Sequence, residues 1–236
     1  MTRISVINPN TSAELTVAIT KAAQAAAGPG VTVTGVYPTV GVSSVESHAE
    51  EAVAAAGVIE LVHEYQDDTD VFVIACFGDT GVAAAREVAT CPVVGMTEAA
   101  LQTACLVAHR FVVITLPART IAHSERVVRA LGLEHRCDVL AVEVPVAELT
   151  GGSTHLLDAF ADAARSARHA EAVVLGCAGL ADLAGPLSEA LGLPVIDGVA
   201  AGVGIAAGLV AMGLNTSRAN TFAHVGLPPV GLVDLT

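Results

Sequence analysis

The sequence predicts an α/β fold built as two similar α/β halves with parallel sheets, related by a pseudo-twofold axis, with the active site in the cleft between them. Three observations carry that expectation. Short apolar runs alternate with Ala-rich stretches of helical length, the composition is that of a mostly buried chain, and one half of the chain echoes the other.

The apolar runs are Ile4–Ile7, Val31–Val36, Val71–Ala75, Val93–Gly95, Phe111–Thr115, Val139–Val144, Ala172–Gly176 and Val195–Ile196. Their length and β-branched content suit strands buried on both faces. The helical stretches are Ser12–Ala27, Ser47–Tyr65, Val82–Thr90, Ile121–Leu131, Leu156–Ala167 and Leu180–Leu191, each after a strand. Strand–helix alternation means parallel sheets. Hydrophobic residues are 53% of the 236 and charged residues only 15%, so most of the chain must pack inside. Aromatics are 3%, which suits closely packed Ala-rich helices on buried strands.

The repeat is visible around two cysteines. Asp70-Val-Phe-Val-Ile-Ala-Cys76-Phe-Gly78 resembles Glu171-Ala-Val-Val-Leu-Gly-Cys177-Ala-Gly179, and each leads through a helical stretch to Pro92-Val-Val-Gly95 or Pro194-Val-Ile-Asp197. The cysteines are 177 − 76 = 101 residues apart; the strands opening at Ile4 and Phe111 are 111 − 4 = 107 apart. Residues 1–95 with 201–236 are expected to form the half carrying Cys76, and residues 96–200 the half carrying Cys177.

Several function classes drop out. A net charge of −13, with no basic run, gives nucleic acid no surface to bind. Ile4–Ile7 is too short for the apolar core of a secretory leader and runs straight into Asn8-Pro9-Asn10, so none is expected. The uncharged stretch Gly198–Leu214 is slightly short and too rich in Ala and Gly for a membrane span, so it reads as a buried helix. Five cysteines at irregular spacing argue against a disulfide framework and for a cytoplasmic protein. The 8 His are scattered without metal-ligand spacing, so no metal is expected. The one Lys, Lys21, lies in the first helix away from both cysteine motifs, which excludes a pyridoxal Schiff base. Gly202-x-Gly204 with Gly208 mimics a dinucleotide motif, but it lies within the expected C-terminal helix, where small residues serve packing.

Ligands of open parallel sheets sit beyond the carboxyl ends of the strands, where Cys76 and Cys177 both fall. The N–H groups of Phe77 to Thr80 and of Ala178 to Leu180 are expected to open helices and to lower each thiol pKa from about 8.5 toward neutrality. Inverting a carbon acid takes a base on one face, an acid on the other and donors for the enolate. Two opposed cysteines among backbone N–H groups meet that demand without a cofactor. Cys91, Cys105 and Cys137 match nothing in the repeat and read as core.

At these residues the chain resembles the Asp/Glu/hydantoin racemase superfamily, and within it the hydantoin and allantoin racemases. The carriers are Val6-Ile-Asn-Pro-Asn-Thr-Ser12, Ile74-Ala-Cys-Phe-Gly-Asp-Thr-Gly81, Pro92-Val-Val-Gly-Met-Thr-Glu-Ala-Ala100, Val174-Leu-Gly-Cys-Ala-Gly179 and Pro194-Val-Ile-Asp-Gly198. The resemblance implies that Cys76 and Cys177 are the acid–base pair, that Asn10 and Thr115 line the pocket, and that Gly78, Asp79, Thr80, Ala178 and Gly179 hold the polar edge of the substrate. The substrate so implied is a small cyclic ureide. The chain reads Val45-Glu46-Ser47 where the family commonly has Ile-Glu-Gly, and Thr115-Leu116 where it often has a Thr pair, so substrate choice is where it departs.

Other features have two readings. Asn8 and Asn10 suit a turn as well as a ligand, and Thr11 or Ser12 a helix cap. Asp79 either caps the helix after Cys76 or meets the substrate. Ser43 is a pocket candidate; Glu46 and His48 suit capping and solvation. The expected activity is two-base racemisation of a 5-substituted hydantoin by a homo-oligomer, with allantoin the alternative. An amino-acid racemase would need an Arg or Lys beside a cysteine motif, a decarboxylase only one cysteine, and a binding protein neither.

Overall fold

In the computed structural model of the chain, residues 1–227 are described; residues 228–236, which close the expected first half, lie outside them. All eight expected runs form strands. β1 (Thr2–Ile7), β2 (Val31–Val36), β3 (Val71–Ile74) and β4 (Val93–Gly95) make one parallel sheet in the order β2-β1-β3-β4. β5 (Phe111–Thr115), β6 (Cys137–Ala141), β7 (Ala172–Leu175) and β8 (Val195–Ile196) make a second in the order β6-β5-β7-β8. The two halves therefore share one topology, and β1 stands in its sheet where β5 stands in the other.

Burial on both faces explains the unbroken apolar runs. Along β3, Val71 and Val73 join the core beneath one face while Phe72 and Ile74 join the core beneath the other. In the second sheet Val112, Ile114, Val173 and Leu175 point one way and Phe111, Val113, Ala172 and Val174 the other. The period of two puts alternate residues on opposite faces, so the inner strands β3, β5 and β7 must be apolar throughout, whereas the edge strands β2 and β6 leave Thr32, Thr34 and Asp138 exposed.

The helices are α1 (Ala13–Ala26), α2 (His48–Tyr65), α3 (Val82–Val88), α4 (Met96–Val107), α5 (Ile121–Ala130), α6 (Leu157–Ser166), α7 (Ala184–Leu191) and α8 (Gly198–Ala211). Ser12 caps α1 by accepting from Leu15 N at 3.2 Å, and Asp197 caps α8 through Val199 N and Ala200 N. α8 lies across the first half, its Val199, Val203 and Ala206 packed with Ile4, Val6, Val71 and Val73. Small residues are required there, since a Cβ on Gly202 would stand 2.8 Å from Val73 Cγ1. Among the described residues no helix is long and apolar enough to cross a membrane.

Three elements differ from expectation. α4 was not foreseen, because it follows β4 with no connecting loop and Gly95 has no side chain to cap it. Its cap is mainly tertiary: Asp79 accepts from Thr97 N at 2.8 Å and Glu98 N at 2.9 Å, while Glu98 itself accepts from Gly95 N at 3.3 Å. β6 runs over 137–141 rather than 139–144, since its partner β5 ends at Thr115 opposite Ala141, after which Val144 N turns back onto Val142 O at 2.9 Å and the chain enters the 3₁₀ segment Val146–Gly151. The helix expected from Leu180 begins as a 3₁₀ turn, Ala178–Leu183, and turns α-helical at Ala184. That start leaves Pro186 in the first turn, where no intrahelical donor is needed.

Candidate active site

In each sheet the chain runs from an inner strand out to one edge and then returns to the other side. The carboxyl ends of β1 and β3, and of β5 and β7, therefore flank a topological switch point. Asn8 and Asn10 follow β1, Cys76 follows β3, Thr115 ends β5 and Cys177 follows β7. All five line one cavity between the halves, narrowed to about 40 Å³ by Leu15, Val45, Leu116 and Val146. Leu15 and Val146 also wall a larger cavity of about 340 Å³, where Ser43 lies with Thr11 and Ser44.

The electrostatics of the sulfurs reverse the expectation of lowered pKa values. Burial pushes the Cys76 thiol up to about 12; a contact with Thr80 Oγ1 at 3.4 Å opposes this, and the nearby Cys177, Asp79 and Glu51 add to it. Burial likewise raises Cys177 to about 11, against hydrogen bonds from the Gly179 and Ala178 backbone. The physical reason on the first side is local geometry. Asp79 N closes a turn onto Cys76 O at 3.1 Å, and α3 starts only at Val82, behind a left-handed Gly81, so Cys76 does not stand at the N-terminus of the helix that follows it. Burial therefore disfavours the thiolate form of both.

The polar wall is built from the first and fifth strands. Asn8 Nδ2 donates to Asn10 Oδ1 and Thr16 Oγ1, both at 2.9 Å, and Asn10 Oδ1 also accepts from Ser12 N. That commits the carbonyl end of Asn10 to the turn. Its amide N–H₂ makes no hydrogen bond among the described residues, so it remains a donor for a ligand. Thr115 Oγ1 sits 2.7 Å from Thr120 Oγ1 and 3.2 Å from the Gly176 carbonyl.

The loop after Cys76 is braced from behind. Gly78 adopts a φ of 106° that favours glycine, its N–H donates to Thr97 Oγ1 at 2.8 Å, and its carbonyl accepts from Arg126 Nη2 at 2.9 Å. An arginine thus does stand beside a cysteine motif, against expectation. It arrives from α5 and also pairs with Glu51, so it is not free for a carboxylate.

Asn10, Cys76, Thr115, Cys177 and Ala178 are brought together at the cavity. Gly78, Asp79, Thr80 and Gly179 are not among its lining. Asp79 caps α4 rather than the helix after Cys76; burial raises its carboxyl to about 6, against its hydrogen bonds from Thr97 and Glu98. Thr80 is 2% exposed and buttresses Cys76, and Gly179 packs under Leu15 and Leu149. Val45 and Leu116, where the chain departs from the family pattern, do line the cavity. Thr120 and Val146 were missed. Thr120 sits in a 3₁₀ turn with no motif, and Val146 in a segment whose approach depends on Glu46 accepting from its N–H at 3.0 Å.

A sequence model described as Asp/Glu/Hydantoin racemase matches residues 4–206. The chain is 38% identical to a protein named hydantoin racemase from Rhizobium meliloti, covering 94% of each chain. It is 37% identical to another of that name from Pseudomonas sp. (strain NS671), covering 94% of this chain and 91% of that one. Among solved structures, an allantoin racemase from Klebsiella pneumoniae superposes with a TM-score of 0.91 at 41% identity, over 97% of this chain and 95% of that one.

Proposed function

The chain belongs to the Asp/Glu/hydantoin racemase family, and on that footing we propose that it racemises 5-substituted hydantoins without a cofactor, with Cys76 and Cys177 as opposed acid and base. The observation that carries this reading is that two cysteines at matched strand ends, one from each half, line the same cavity.

One sulfur, as thiolate, takes the proton from C5, and the electron pair passes into the ring to make the enolate of the C4 carbonyl. The other sulfur, as thiol, delivers its proton to the opposite face of C5. The sulfurs end with their protonation states exchanged, which is the form needed to invert the other enantiomer. A thiolate of raised pKa is the stronger base toward a weak carbon acid, at the cost of a smaller ionised fraction. The Asn10 amide, together with Thr115 and Thr120, supplies polar groups for the ring oxygens and nitrogens. Leu15 and Val146 wall both this cavity and its larger neighbour, so their side chains set the room for the substituent at C5.

The test is polarimetry on enantiopure alkyl- and arylhydantoins, with rotation expected to decay to zero while the compound's mass stays constant. Stable rotation with every hydantoin, allantoin included, would reject the assignment. Allantoin, a hydantoin bearing a ureido group, is the second reading, favoured by the 41% identity to the Klebsiella pneumoniae allantoin racemase. Faster decay with allantoin than with any alkyl or aryl compound selects it.

A further inference from the structure

Beyond the cysteine cavity, the fold gathers three further donors from elements far apart in sequence. His48 opens α2, and Glu51 lies three residues on, on the same helix face. His123 comes from the first turn of α5, in the opposite half. His48 Nδ1 lies 3.1 Å from His123 Nε2 and 3.4 Å from Glu51 Oε2, and His123 Nε2 lies 3.9 Å from that same oxygen.

These three edges describe a metal site. A tetrahedral ion with bonds of about 2.0–2.1 Å has ligand–ligand edges of about 3.3–3.4 Å, the middle of the observed range. We propose that His48 Nδ1, Glu51 Oε2 and His123 Nε2 bind a divalent transition ion, with zinc the expected occupant. Two imidazoles and one carboxylate suit zinc better than calcium or magnesium, which favour all-oxygen ligands. The carboxylate is held from behind, as ligating carboxylates are: Arg126 Nη1 donates to Glu51 Oε2 at 3.0 Å and Nη2 pairs with Oε1. The Glu51 and His123 side chains are 14% and 4% exposed, while that of His48 is 72% exposed. The ion therefore has a fixed floor, an entry path and one position left to solvent.

The site is separate from the proposed chemistry, since none of its ligands lines the cysteine cavity. Its effect is mechanical: a bound ion ties α2 of the first half to α5 of the second. The tie lies against the Cys76 loop, since a Cβ on Gly78 would meet His123 Cβ at 3.0 Å.

Cobalt(II) is the probe, because its visible spectrum reports coordination and distinguishes imidazole from thiolate ligands. Titration of the reduced, chelator-treated protein should show one equivalent bound, with d–d bands of a four- or five-coordinate ion and no thiolate charge-transfer band. The Cys76→Ser/Cys177→Ser protein should give the same spectrum. His48→Ala, on an exposed side chain that the fold does not need, should weaken binding by at least about tenfold. Absence of binding, unchanged affinity in His48→Ala, or a thiolate band that disappears with the cysteines would each overturn the proposal.

Discussion

Arg126 on α5 donates to the carbonyl of Gly78 at 2.9 Å, joining the second half of the molecule to the loop that holds Cys76. Glu51 orients the guanidinium through both of its oxygens. Arg126 is thus a positioning residue for a sulfur it does not touch. Arg126→Ala should lower kcat by roughly 10- to 100-fold, the cost of misplacing a reacting group by about 1 Å. Arg126→Lys should recover only part of that, because one ammonium cannot hold Glu51 and Gly78 together. The distinguishing readout is alkylation: the rate at Cys76 should change and that at Cys177 should not. Equal changes at both would mean a general loss of structure.

The pH dependence follows from burial of the thiols. With Cys76 near 12 and Cys177 near 11, the thiolate is a minor species at neutral pH and is lost further as pH falls. kcat/KM should still be climbing above about pH 8.5, where an ordinary thiol would already have levelled off. Stability runs the opposite way, since a folded pKa raised above the unfolded one contributes stability below the unfolded value and loses it as pH rises through the folded value. The Tm should therefore decline above about pH 8.5, and Cys76→Ser should flatten that decline. A kcat/KM plateau at neutral pH would show that the thiols are not raised.

Asp79 ties the Cys76 turn to the start of α4 through Thr97 N and Glu98 N. Asp79→Ala removes both cap bonds and should destabilise the protein by about 1–2 kcal/mol in denaturant unfolding. Asp79→Asn, which keeps one acceptor oxygen, should cost less. Were Asp79 a substrate ligand instead, both variants would raise KM and leave stability unchanged.

Thiol-specific labelling maps the site directly. Iodoacetamide should abolish turnover, and a substrate analogue should protect Cys76 and Cys177, read by mass spectrometry. Cys91 and Cys137 are buried in the sheet cores, so neither should respond to the analogue. Protection at Cys105, Cys91 or Cys137 alone would place the site elsewhere.

The strands and the repeat were legible because parallel strands buried on both faces must be apolar throughout, as at Val71–Ile74. The same spacing brought out Cys76 and Cys177, each at the end of such a strand. What stayed hidden is what the tertiary fold supplies. α4 takes two cap bonds from Asp79, 18 residues earlier for Thr97, and the local part of its cap is only Glu98 accepting from Gly95 N at 3.3 Å. Arg126 lies 48 residues from Gly78, and His123 lies 75 from His48, so neither partnership shows as a spacing motif. The thiol pKa values depend on the tertiary fold too: strand-end position suggests a helix N-terminus and a lowered value, whereas burial raises both.

The central claim is that Cys76 and Cys177 stand on opposite faces of one carbon, and isotope exchange in the single variants tests it most directly. Cys76→Ser and Cys177→Ser should each lose racemisation, because a hydroxyl is far too weak an acid to complete the transfer. The sulfur that remains in each should still exchange the C5 proton for deuterium in heavy water, with retention of configuration and for one enantiomer only. The two variants should prefer opposite enantiomers, followed by proton NMR of the C5–H signal. Exchange of the same enantiomer by both variants would contradict the opposed geometry, and racemisation by either at the wild-type rate would remove that cysteine from the mechanism.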